Sequence, residues 1–150
     1  MAVGESDDEG EATEPLEAFW AAVRRVQGEG GRRGVTDADM LGGLFEVGDS
    51  ALARMVAADG GDLEAARVAI ADAVAAEAEG VPGSAQGMTE VARGVAEVMF
   101  EERRVRGQAQ RQEDVLLGLL LAGGARVKSV LAGLGIDRAR VLRELPPPPA

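Results

Sequence analysis

The chain has 150 residues, 46% of them hydrophobic, which suffices for one compact domain with a buried core. A formal net charge of −10 denies it the basic face on which nucleic-acid binding depends, and with neither cysteine nor histidine it lacks disulfides, a thiolate nucleophile, the usual zinc ligands and the commonest general base. Ala, Val and Leu dominate the apolar set, with three Phe, one Trp and no Tyr, a mixture that predicts an all-α protein of close-packed helices.

Residues 1–12 (MAVGESDDEGEA) are acidic and without apolar periodicity, and read as a disordered tail. This start is acidic where a secretory signal is basic, and no apolar run approaches the roughly 20 residues of a membrane span, so a cytoplasmic location away from membranes is expected. Thr13 stands where it can cap a first helix, with Pro15 in the opening turn and Phe19, Trp20, Val23 and Val26 at helical spacing up to Gly28. Thr36 or Asp37 caps a second, which puts Met40, Leu41, Leu44 and Phe45 on one side before Gly48. Asp49 or Ser50 starts a short third helix through Leu52, Met55 and Val56, closed by Gly60 and Gly61. Asp62 then caps a fourth, with Leu63, Ala66, Ile70 and Val74 in one stripe. Residues 79–87 (EGVPGSAQG) form a cluster of turn-formers and read as a linker. The scheme then returns: Thr89 before Val91, Val95 and Val98; Val115 to Leu120; Val127 to Leu134; Asp137 before Val141, Leu142 and Leu145. The prolines of 146–150 stop the last helix near Leu145.

The return is in register. Asp39-Met40-Leu41-Gly42-Gly43-Leu44 overlies Asp114-Val115-Leu116-Leu117-Gly118-Leu119, an offset of 114 − 39 = 75. The same offset carries Leu52, Met55 and Val56 onto Val127, Val130 and Leu131, Gly60 onto Gly135, and Asp62 onto Asp137. A helix-ending glycine and a helix-starting aspartate shared in one register predict a tandem duplication of a four-helix repeat, residues 13–78 and 88–145, eight helices in a paired bundle.

With its strings VLLGLLLAGG from Val115 and VLAGLGID from Val130, and the weaker copies MLGGLFEVGD and MVAADGGD, the duplicated chain resembles the N-terminal domain of Clp ATPases over residues 13 to 145. Those unfoldases continue into ATPase modules with a Gly-Lys-Ser/Thr phosphate loop. Here the single lysine, Lys128, lies in an Arg-Val-Lys-Ser context, so ATP hydrolysis by that route is excluded. The resemblance implies a non-catalytic docking module without cofactor or metal, whose partners are proteins or peptides: Clp substrates, adaptors or the unfoldase itself. It implies a monomer. In one branch of the family each repeat offers a pocket for phosphorylated arginine, built from the capping Thr and the Glu of a Thr-Glu-His triplet. Carried over, Met88-Thr89 and Gln112-Glu113-Asp114 retain Thr89 and Glu113. In the first repeat Thr13 matches, but the triplet reads Asp37-Ala38-Asp39, which lacks the Glu unless Asp37 substitutes. One residue is missing between Gly107 and the second triplet relative to the family spacing.

Each candidate also has a structural role. Thr13 and Thr89 are N-caps, each contributing about 1 kcal/mol without any ligand. Glu113, in a first helical turn, is favoured against the dipole by about 0.3–1 kcal/mol. Phe19, Trp20, Phe45, Phe100 and the methionines fall on apolar helical faces and are expected in the core, and the Glu–Arg run over 101–106 reads as a solvated face of weak ion pairs. Two functions follow. The first is an adaptor, decoy or regulator of Clp proteolysis that binds degron-bearing or arginine-phosphorylated proteins. The alternative is sequestration of a cyclic-peptide antibiotic, which the same domain binds in this family and which calls for an exposed apolar patch around Met88.

Overall fold

Residues 16–28, 34–81, 87–106 and 111–145 are described by a computed structural model, with backbone alone for 102–106. Thr13, the two tails, residues 82–86 of the expected linker and the side chains of the Glu–Arg run after Glu101 lie outside that description. The described chain is all helical: α1 (16–28), α2 (Asp37–Glu46), α3 (Ala51–Ala58), α4 (Leu63–Glu79), α5 (Glu90–Arg106), α6 (Gln112–Ala122), α7 (Ala125–Gly133) and α8 (Arg138–Glu144). No strand occurs among the described residues, and none of their helices is long and apolar enough to cross a membrane.

The helix starts follow from local chemistry. Thr36 Oγ1 accepts the Asp39 N–H at 3.0 Å while the Asp39 carboxylate accepts the Thr36 N–H at 2.9 Å, so two orphan amides of α2 are satisfied reciprocally. Ser50 and Asp62 cap α3 and α4 through the amides of Ala53 and of Glu64 and Ala65. The second half uses the same stations 75 residues later. Asp114 accepts the Arg111 N–H at 2.8 Å, though Arg111 has no acceptor to return the bond. Asp137 caps α8 through Arg140 N–H. Gly60 and Gly135, also 75 apart, close α3 and α7 at φ of 75° and 76°, where a side chain would be strained.

Two helices make the centre. From Asp37 to Phe45 every residue of α2 is buried, and from Gln112 to Leu119 every residue of α6, so both are apolar nearly all round rather than striped. They pack on each other; α5 and α8 flank α6, α4 flanks α2, and α3 and α7 close the ends. Close approach depends on two glycines 75 apart. A Cβ on Gly43 would lie 2.9 Å from the Val23 backbone nitrogen of α1, and one on Gly118 would lie 2.8 Å from the Val95 carbonyl oxygen of α5. Leu16, Phe19 and Val23 of α1 are buried, as are Ala92, Val95 and Met99 of α5, 76 residues on. Phe100 departs from the expectation that it is core: it is 55% exposed, because the buried stripe of α5 runs through Ala92, Val95, Ala96 and Met99 and Phe100 lies about 100° around the helix from it. Trp20 is half-buried beside the fully buried Phe19, their ring centroids 4.8 Å apart.

The halves are stitched together at helix starts. The Asp37 carboxylate of α2 accepts the N–H of Gly124, the N-cap of α7, at 2.7 Å. Gln112 of α6 accepts the N–H of Ala51, the first residue of α3, at 2.7 Å and donates to the Asp49 carbonyl at 3.3 Å. Asp37 and Gln112 are again 75 apart, so each half caps the short helix of the other. Arg140 of α8 adds a third tie, donating to the Met55 carbonyl at the end of α3 and lying 3.4 Å from the Asp59 carboxylate.

Candidate functional site

Thr89 and Glu113, expected to share a pocket in the second half, lie apart. Thr89 N–H donates to the Val35 carbonyl at 2.9 Å and Val35 N–H to the Gly87 carbonyl at 2.7 Å, a parallel bridge of Val35 with Met88 that sets the start of α5 beside the start of α2. Gly124, just past the end of α6, belongs to the same cluster: its amide meets Asp37, and a Cβ built on it would lie 4.0 Å from Val91. Glu113 is eleven residues before Gly124, at the other end of α6, about 13 Å along the helix axis from Ala122. The pairing therefore crosses between halves, with the start of α5 facing the α2 triplet. The α6 triplet stands instead at the start of α3, through Gln112 and Ala51.

The first cluster holds Thr36, Asp37, Ala38, Met88, Thr89 and Val91. Its polar groups are engaged in structure. Thr89 Oγ1 accepts the Ala92 N–H at 3.2 Å as the N-cap of α5, and Asp37 bonds Gly124 with one oxygen and its neighbour Ala38 N–H with the other. Asp37, 2% exposed, is a cross-half cap, with both carboxylate oxygens engaged by backbone amides. What remains open is apolar: Met88 is half-buried and Val91 is 42% exposed.

The second cluster, at the start of α6, contains an acid. Glu113 is nine-tenths buried in the first turn of α6, where the helix N-terminus favours a carboxylate. Its neighbours Gln112 and Asp114 are tied to Ala51 and Asp49 and to Arg111, whereas Glu113 has no hydrogen bond or ion pair among the described residues. Arg111 beside it is exposed. A carboxylate beside a helix N-terminus and without a structural partner among the described residues is suited to receiving a cationic donor such as a guanidinium.

Two cavities lie elsewhere. One of about 320 Å³ sits between α1, α2 and α4, floored by Val26, Phe45, Ile70 and Val74, with Arg67 at its rim 3.0 Å from Glu46 and its guanidinium carbon 5.3 Å from the Phe45 ring centroid. The other, of about 590 Å³, lies between α3, α4 and α7. Neither is lined by Met88, Thr89 or Glu113. No group of three or more carboxylates that could hold a metal occurs among the described residues. Sequence reasoning singled out Glu113 but missed Gln112 and Asp37 as cross-half caps; their polar character in the first turn of otherwise apolar helices was the available signal. In comparisons with known proteins, no family model matches the chain and no curated protein matches its sequence.

Proposed function

We propose that this chain is a tandem duplication of a four-helix repeat of the Clp N-terminal type and acts by binding, as an adaptor, decoy or regulator in Clp proteolysis that takes arginine-phosphorylated or degron-bearing proteins. The observation that carries the ligand chemistry is Glu113: nine-tenths buried, without a partner among the described residues, and beside Gln112 and Asp114, which bond Ala51 and Arg111. A guanidinium donates bidentately to such a carboxylate, and the exposed Arg111 at the N-cap of α6 supplies a cation for the phosphoryl group that distinguishes phosphoarginine from arginine. The duplication is supported by the paired stations 75 residues apart, above all the capping aspartates, the positive-φ glycines and the reciprocal caps of Asp37 and Gln112.

Calorimetric titration with phosphoarginine tests the reading. Saturable binding by the parent that weakens at least about tenfold in Glu113→Ala, roughly 1.4 kcal/mol, is expected; no heat with the parent at millimolar ligand overturns it. Thr89→Ala serves as the internal control, since Thr89 lies in the other cluster and its loss should leave the titration unchanged.

A second reading has its own observation. With Ala38 in place of the carboxylate, and with Met88 half-buried and Val91 exposed, the first cluster offers apolar contact rather than charge, which suits a hydrophobic cyclic peptide and hence sequestration of such an antibiotic. Binding of a cyclic peptide that Val91→Glu abolishes and Glu113→Ala leaves intact would favour it.

A further inference from the structure

The corner between α3 and α4 and the corner between α7 and α8 are built alike. Asp59 N–H donates to the Met55 carbonyl at 3.2 Å, and Leu134 N–H to the Val130 carbonyl at 3.0 Å. Gly61 N–H donates to the Val56 carbonyl at 2.9 Å, and Ile136 N–H to the Leu131 carbonyl at 3.0 Å. Gly60 and Gly135 turn the chain at positive φ. Asp62 and Asp137 then each accept the N–H three residues on, from Ala65 at 3.3 Å and from Arg140 at 2.8 Å. Ala65 and Arg140 therefore hold the same station on α4 and α8.

What the two residues do from that station differs. Arg140 crosses to the other corner, where its guanidinium donates to the Met55 carbonyl and lies 3.4 Å from the Asp59 carboxylate. The Met55 carbonyl stands in the last turn of α3, where the helix dipole favours a cation. The reciprocal reach, from Ala65 to the Val130 carbonyl in the last turn of α7, is too long for a methyl group. The cavity of about 590 Å³ lies between these two stations, since Ala65 and Val130 both line it. Asp59 and Asp62 are its charged groups, and no Lys or Arg is among its described lining. Val56, Ala66 and Ala69 give it an apolar wall against which an aliphatic stem can lie.

We infer that this cavity receives the side chain of an unmodified arginine borne by a peptide or protein partner, its guanidinium standing at the Val130 carbonyl and Asp59 as that of Arg140 stands at the Met55 carbonyl and Asp59. Related cations fit less well. Phosphoarginine would set its phosphoryl group, and free arginine its α-carboxylate, against Asp59 and Asp62. A lysine ammonium lacks the planar fork with which Arg140 serves a carbonyl and a carboxylate together. The site is separate from the phosphoarginine reading, because Glu113 does not line the cavity.

Titration of the full chain with acetyl-arginine amide, followed by backbone amide NMR shifts, tests it. Saturable shifts at Ala65, Gly133 and Gly135 are expected below about 20 mM ligand, with acetyl-citrulline amide, similar in shape but uncharged, binding at least about tenfold more weakly. Ala65→Arg supplies the guanidinium from α4 itself at an exposed position. It should abolish the shifts and raise the urea midpoint above that of Ala65→Met, a long side chain without charge. No saturable shift at those amides, equal binding of the citrulline compound, or an Ala65→Arg variant that binds as the parent does or is no more stable than Ala65→Met would overturn the inference. Shifts confined to the start of α6 would overturn it too, while leaving the reading of Glu113 in place.

Discussion

Asp37 and Gln112 illustrate how a single side chain serves a distant helix. Gly124 and Ala51 begin α7 and α3, and their amides have no intrahelical partner; a carboxylate and a carboxamide from the other half supply it. Asp37→Ala is expected to destabilise the protein by about 1–2 kcal/mol in urea unfolding, while Asp37→Asn, which keeps an acceptor, should recover most of that. Thr89→Ala should cost about 1 kcal/mol as an ordinary cap loss. Glu113→Gln is the informative contrast. Its carboxylate supports no helix amide and no ion pair among the described residues, so unfolding should become easier by no more than the about 0.3–1 kcal/mol of its interaction with the helix dipole, while phosphoarginine affinity falls. These residue roles were partly legible beforehand: capping residues announce themselves by type and by the turn they precede. Whether a cap serves its own helix or another's was not legible, because the partner amides lie 61 and 87 residues away.

At the scale of elements, the apolar stripes predicted seven of the described helix starts to within a few residues, and the glycine-closed turns after α3 and α7 appear where Gly60 and Gly135 suggested. The stripe argument failed at Leu63 and Val91, in the first turns of α4 and α5, and at Phe100 and Leu142. Val91, Phe100 and Leu142 each sit beside a better-placed core residue, Ala92, Met99 or Val141, and only the packed neighbours decide which of two adjacent apolar residues points inward. Helix spacing is set by backbone contact at Gly43 and Gly118. Adding a methyl group at Gly118 would force the Val95 carbonyl away, so Gly118→Ala should destabilise by about 1–3 kcal/mol, measurable as a lowered midpoint at unchanged m-value. Gly94, on the same α5, has no atom within 4 Å of its would-be Cβ, and Gly94→Ala there should stabilise by about 0.5–1 kcal/mol through helix propensity alone.

For the molecule as a whole, the reciprocal caps and Arg140 mean that neither half has a complete set of helix starts or a closed core without the other. Unfolding should therefore be one cooperative transition, with calorimetric and van't Hoff enthalpies in agreement; two resolved transitions would show that the stitching contributes little. Composition, the 3.6-residue periodicity and the capping residues determined by themselves that this protein is all helical and where most helices begin, because those signals are local and act within one or two turns. The 75-residue spacing of the capping aspartates and positive-φ glycines was also there to be read. Only the tertiary structure decided that the start of α5 adjoins the start of α2 and the end of α6 rather than the start of α6, that Asp37 is committed to Gly124, and that Leu121 and Leu142 stand exposed. The reason is physical: which helix ends converge is fixed by the packing of α2 against α6 in one core, and that contact is encoded by no single segment of the chain.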